Sequence, residues 1–211
     1  YFRFAAKVSH DSNENQIYST AFITLLFTST LFILIANFFS QPIVDALGYP
    51  ENKEYITLLS IIIGLDAFCT IPFAKLRLEN KALKFSLIKL SGVIINIAFN
   101  IFFLIICPAV PALYNSSFYD QSLGITYIFL SNLISSVSVT VIILLFGGSF
   151  KLSFRFAQLK ILLLYSIPLL ISGLGGTTNE SFDRIFIKYL VHEDANPLYQ
   201  LGIYGSNVKL A

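Results

Sequence analysis

The chain has 211 residues, of which 55% are hydrophobic and only 12% charged, with a net charge of +2. Soluble domains carry about 25% charged residues, so this composition excludes a water-soluble globular protein and points to one that spans a bilayer. The charge balance is too mild, and its basic residues too dispersed, to imply nucleic acid as a partner.

In chain order, the opening YFRFAAKVSH (1 to 10) lacks the charged, apolar, then small-residue order of a signal peptide and reads as the cytoplasmic end of a preceding helix. With no Met anywhere and with LGIYGSNVKLA stopping in what resembles the start of another segment, the sequence reads as a piece of a longer protein. Five stretches then match the roughly 20 apolar residues that a helix needs to cross a hydrocarbon core about 30 Å thick. They are 17–39 and 123–146, which hold no charge, 55–74 with Asp66, 85–107 with Lys89 near one end, and 161 onward to about 190. Phe, Ile, Leu and Val fill them without the period-2 alternation of a membrane barrel, and lipid offers no partner for an unpaired backbone group. The expected fold class is therefore all-α, a polytopic transmembrane helix bundle.

If the five segments alternate, Arg3, Lys7, Lys75, Arg77, Lys81, Lys84, Lys89, Lys151, Arg155 and Lys160 fall on one side, while the loops 40–54 and 108–122 hold only Lys53. That bias makes the first side cytoplasmic. Two cytoplasmic connections mix large apolar and basic residues, FAKLRLENKALKF (73 to 85) and SFKLSFRFAQLK (149 to 160). Both suit segments lying at the headgroup boundary, or basic residues that merely obey topology.

A carboxylate in mid-bilayer costs at least about 2.5 kcal/mol on insertion scales. Asp66, in IIIGLDAFCTIP, is such a residue. It is either a group that takes up a proton or cation in a water-filled cavity, hence an ion-coupling candidate, or a carboxylate capped by Ser or Asn from a neighbouring helix. Steps of three and four align Lys89, Gly92, Asn96 and Asn100 on one face of their helix, Thr20, Thr24 and Thr28 on another, and Asn132, Ser135, Ser136 and Thr140 more loosely on a third. Such stripes line a cavity or glue helices together.

The last long segment ends in GLGGTTNESFDRIFIKYL (173 to 190), where Asn179, Glu180, Asp183, Arg184 and Lys188 follow an uncharged run. Pro168, Gly173, Gly175 and Gly176 are the positions at which this helix could bend. Glu180, Arg184 and Lys188 share a face, either as a solvated helix end with ordinary i to i+4 pairs or as the polar wall of an aqueous cavity whose basic groups meet an anionic headgroup. His10 and His192 are isolated, so no metal site is expected. Cys69 and Cys107 fall at opposite depths and are read as packing residues. Neither a catalytic set nor a cofactor-binding loop is present, so an enzyme is not expected.

IPFAKLRLENKALKFSLIKL (71 to 90), YSIPLLISGLGGTTNESFDRIFIKYL (165 to 190) and LGIYGSNVKLA (201 to 211) resemble the polysaccharide biosynthesis and oligosaccharide flippase family. That family lies within the superfamily of multidrug, oligosaccharidyl-lipid and polysaccharide exporters. The resemblance implies two helical lobes around a central cleft, with this chain running from the end of helix two to the start of helix eight. Residues 1–146 would form the first lobe, 147–160 a cytoplasmic interfacial linker, and 161–211 the start of the second lobe. It further implies movement of lipid-linked sugar repeat units across the bacterial cytoplasmic membrane by alternating access. The ligand would be a polyprenyl-pyrophosphate-linked oligosaccharide whose headgroup Arg184, Lys188 and Arg3 attract, with Asn96, Asn100, Asn132, Asn179, Glu180 and Asp183 lining the cavity. A polysaccharide polymerase or glycosyltransferases would be further partners. The alternatives are a multidrug or organic-cation antiporter of the same superfamily, which would want acidic groups in its cleft, and a non-transporting scaffold for polysaccharide synthesis enzymes.

Overall fold

A computed structural model describes residues 11–47, 52–110, 114, 119–120, 123–146, 153–190 and 203–205, excepting the side chains of 11–14, 179–181, 183–185 and 187–190. Among these residues all regular structure is helical: α1 (Asp11–Phe38), α2 (Ser40–Leu47), α3 (Lys53–Leu78), α4 (Ala82–Ala109), α5 (Gly124–Phe146) and α6 (Phe156–Leu190). Five of them are long and apolar enough to cross a bilayer, over Asn15–Phe38, Lys53–Leu78, Ala82–Ala109, Gly124–Phe146 and Phe156–Thr178. The polytopic helical architecture expected from hydropathy is the one observed.

Three local features depart from that expectation. The stretch after α1 was expected to be a loop, yet α2 continues the chain as helix. The Phe39 N–H donates to Ile35 O and the Ile43 N–H to Phe39 O, so the two helices are joined through a single turn residue. Pro42 is tolerated there because the first turn of a helix has no use for its missing N–H. The segment 73–85 was read either as lying along the headgroups or as a connection whose basic residues merely obey topology, and the structure has α3 running on to Leu78 and α4 beginning at Ala82. Asn80 takes φ 56°, the Asn80 N–H donates to Arg77 O and the Lys81 N–H to Leu76 O. This is a Schellman ending with Asn in the left-handed position, which closes the helical hairpin within three residues. The third feature is a π-helical turn, Phe102–Ile106, inside α4. Pro108 cannot donate to Leu104 and its ring crowds that carbonyl, so a widened turn just upstream relieves the clash.

The chain divides into two compact units, Tyr1–Leu159 and Lys160–Ala211. In the first, α1 packs on α3, α3 on α5 and α5 on α4. Small residues set the crossings: a Cβ added at Gly64 would stand 2.6 Å from Ile33 Cδ1, and one at Gly92 would stand 2.5 Å from Val139 Cγ2. Two apolar clusters hold the bundle, Cys69, Phe73, Leu76, Ile88 and Ile143 toward the hairpin that carries the basic residues, and Phe103, Cys107 and Tyr127 toward the other end. Each cysteine is free and buried in its own cluster, consistent with a packing role. Near the basic end Lys75 lies 4.6 Å from the Tyr18 ring centre and pairs with Glu79 at 3.8 Å, while Lys81 meets Glu79 at 2.6 Å.

Polar side chains in these helices are mostly satisfied locally. Thr20, Thr24 and Thr28 donate to carbonyls four residues back, at 2.7, 2.7 and 3.0 Å, so this stripe stays on its own helix; Thr20 Oγ1 also accepts the Arg155 N–H. Asn37 is different, because its amide bonds across to α3. It donates to Ile33 O and Ser60 Oγ and accepts from Thr57 Oγ1. In the second unit the helix is unbroken through Pro168, Gly173, Gly175 and Gly176, with Thr177 Oγ1 donating to Gly173 O at 2.9 Å.

Candidate functional site

The close α4–α5 crossing at Gly92 opens, on its flank, into a cleft of about 300 Å³ that reaches α3. Its polar lining comes from Asp66 of α3, Lys89 and Asn96 of α4, and Asn132, Ser135 and Ser136 of α5. Asp66 is the fourteenth of the 26 residues of α3. Polar side chains from three separate helices thus meet around one cleft.

Asp66 Oδ1 accepts a hydrogen bond from the buried Ser136 hydroxyl at 2.9 Å. An ionised carboxylate offers about four lone-pair positions. The Ser136 hydroxyl occupies one acceptor position, and the others are left open toward the cleft. Asp66 is thus capped by a neighbouring Ser and also lines the cleft. Thr140, one turn beyond Ser136 on α5, donates to Ser136 O and touches Cys69 Sγ at 3.2 Å, which fixes this helix against α3.

The amides form a chain across the other crossing. Asn100 Nδ2 donates to Asn96 Oδ1 at 2.9 Å, and Asn96 Nδ2 donates in turn to Asn132 Oδ1. Asn100 reaches the cleft only through Asn96. Ser135 Oγ donates to Gly92 O at 2.7 Å, which locks α4 and α5 together and leaves the hydroxyl oxygen free to accept. Lys89, which the sequence spacing placed on the Asn96 face without assigning it a role, joins the cleft at its end nearest the hairpin. Its ammonium sits 4.4 Å from the Phe73 ring centre. A second crevice, of about 210 Å³ between α1 and α3, is almost wholly apolar, and the buried Ser29 hydroxyl in its lining has no hydrogen-bond partner among the described residues.

The structure thus brings Asp66, Asn96 and Asn132 together and links Asn100 to them. Asn179, Glu180, Asp183, Arg184 and Lys188 lie on continuous α6 backbone, and the four-residue spacing of positions 180, 184 and 188 is kept. Their side chains fall outside the described set, as does Arg3. Among the described residues no group of His, Cys, Asp and Glu could hold a metal ion.

A family model described as polysaccharide biosynthesis protein matches residues 5–210. The chain belongs to this family. That membership and the five apolar spans make it a multi-pass membrane protein of polysaccharide biosynthesis, embedded in a lipid bilayer. No curated protein and no solved structure matches it. For a member of this family, a polar cleft inside an apolar bundle is the feature that needs a functional account.

Proposed function

We propose that the protein is a flippase that moves lipid-linked oligosaccharide or polysaccharide repeat units across the bacterial cytoplasmic membrane by alternating access. The observation that carries this reading is the cleft lined by Asp66, Lys89, Asn96, Asn132 and Ser136 in the middle of apolar spans. A sugar chain cannot cross hydrocarbon unaided, because each hydroxyl that loses water without a replacement partner costs at least about 1 kcal/mol. Amides, hydroxyls and a carboxylate at mid-span supply those partners while the lipid tail stays outside. Such intramembrane polar sites mark substrate and ion pathways.

In this scheme the protein makes and breaks no covalent bond. Arg184, Lys188 and Arg3 attract the pyrophosphate headgroup, and the polyprenyl chain remains in the bilayer. Asp66 couples the cycle to an ion, since moving one charge across 100 mV is worth about 2.3 kcal/mol. Loops 74–84 and 147–160 face the cytoplasm, where a polymerase or glycosyltransferases would meet the transporter. An organic-cation antiporter would need acidic walls, whereas this cleft combines one carboxylate with a lysine and neutral groups.

The test is translocation of a fluorescent lipid-linked oligosaccharide in proteoliposomes, read with a membrane-impermeant quencher under imposed proton or sodium gradients. The wild-type protein moves the lipid in a gradient-dependent manner, and Asp66→Asn loses the dependence. Failure of the wild-type protein to translocate would refute the flippase reading. Unchanged gradient dependence in Asp66→Asn would remove Asp66 from the coupling.

A further inference from the structure

We infer that α2 is an interfacial anchor, lying along the boundary between headgroups and acyl chains at the bilayer surface remote from the basic hairpin, with Phe39, Ile43 and Leu47 turned toward the acyl chains. Its partner is the lipid surface, whatever the protein carries. The first observation is depth. Asn37 bonds to Ser60 and Thr57, while Phe22 meets Phe68 and Tyr18 meets Lys75, so α1 and α3 run antiparallel with position 37 level with 57–60. Four residues further out on each helix, about 6 Å, stand the start of α2 and the exposed Lys53 and Glu54 in the first turn of α3. Charged side chains avoid hydrocarbon, so this level is the polar edge of the bilayer.

The second observation is that α2 has three different faces. Ser40 and Val44, 0% and 2% exposed, pack it on α3. Gln41 and Asp45, bonded to each other at 3.1 Å, form a polar face. Phe39, Ile43 and Leu47, at steps of four, are 50%, 36% and 54% exposed. Such a helix at headgroup depth suits the interface plane. The apolar face also continues the exposed stripe of α1, because Phe32 and Ile35 precede Phe39 at steps of three and four and the Phe39 N–H still donates to Ile35 O. Pro42 cannot donate to Phe38 O, so the helical ladder is interrupted at this level and α2 can turn away from the axis of α1. Held upright, Leu47 would stand ten residues, about 15 Å, beyond Asn37 and its face would meet water. Three side chains cover far less than the roughly 1,200 Å² at which stable protein interfaces begin, which disfavours a second copy as the cover.

The experiment is tryptophan fluorescence in phosphatidylcholine vesicles. The chain has no Trp, so a single Trp placed on α2 reports its own surroundings. Phe39→Trp and Leu47→Trp probe the apolar face and Asp45→Trp the polar one, each required to keep the wild-type unfolding midpoint; Ile43→Trp replaces either apolar variant that does not. Bromine carried on the acyl chains should quench the apolar-face variants several-fold more than Asp45→Trp, and iodide on both sides of the vesicle should quench Asp45→Trp several-fold more than them. Iodide quenching of Leu47→Trp as strong as that of Asp45→Trp would mean that α2 stands in water. Protection of the apolar-face variants from both quenchers would mean that protein covers them, and equal bromine quenching at all positions would mean that α2 is submerged. Each of these three results would overturn the inference.

Discussion

Gly92 is the position at which the cleft and the stability of the bundle depend on the same contact. A methyl group added there would lie 2.5 Å from Val139 Cγ2 and 3.5 Å from Ser135 Oγ. Carbon atoms rest about 3.5 to 4.0 Å apart, so α4 and α5 must separate by roughly 1 Å or a side chain must turn away. Val139 is β-branched and nearly fixed at χ1 on a helix, so it cannot swing clear. Separation also stretches the 2.7 Å bond from Ser135 Oγ to Gly92 O. Overpacking costs about 1–3 kcal/mol and a mean interhelical hydrogen bond in a membrane about 0.6 kcal/mol. Gly92→Ala should therefore destabilise the protein by about 2 to 3 kcal/mol in reversible unfolding from mixed detergent micelles. Val139→Ala removes the clashing methyl, so the double variant should recover about 1.5 kcal/mol as coupling energy. Gly64→Ala should cost a similar amount, because the added methyl would meet Ile33 Cδ1 at 2.6 Å and Cγ1 at 2.8 Å and Ile33 is β-branched as well. A neutral Gly92→Ala, or a loss that Val139→Ala does not relieve, would refute the packing argument.

Other consequences are local. Asn37→Leu removes the bonds to Ser60 and Thr57 and should cost about 1 kcal/mol in the same unfolding assay, with Thr57→Val adding little on top because the two share one bond. At Asn80, with φ 56°, Asn80→Gly should be neutral or stabilising, whereas Asn80→Val should destabilise the hairpin by about 1 to 2 kcal/mol through left-handed strain. Tyr127→Phe removes the acceptor of the Asp120 N–H at 2.8 Å and should cost about 1 kcal/mol while the stack on Phe103 survives, leaving the near-ultraviolet circular dichroism of the aromatic cluster largely intact.

Hydropathy made the five spans legible because bilayer thickness imposes a length and lipid imposes a backbone fully bonded within the helix. The ends were less legible because they depend on local capping. Asn80 can close a helix in the left-handed conformation, but nothing in FAKLRLENKALKF distinguishes such a hairpin from an amphipathic segment until its hydrogen bonds are seen. The continuation of α1 through Ser40 and Pro42 was hidden for the same reason: Pro reads as a breaker unless it occupies a first turn. Within the site, periodicity put Lys89, Gly92, Asn96 and Asn100 on one face and Asn132, Ser135 and Ser136 on another, but it could not say that these faces meet. The pairing is set by the close approach at Gly92, a tertiary fact. Asn37 shows the limit from the other side: a lone amide in an apolar run gave no periodic signal, yet it makes bonds between α1 and α3.

The account stands on water reaching the polar cleft at mid-span, and thiol accessibility measures this most directly. In a protein with Cys69 and Cys107 replaced by Ala, single cysteines are introduced at Val93 and Ile97, which line the cleft, and at Ile94, which does not. A charged, membrane-impermeant thiol reagent applied to the protein in liposomes should label Val93→Cys and Ile97→Cys and spare Ile94→Cys. Protection of all three, or equal labelling of all three, would contradict a hydrated cleft between these helices.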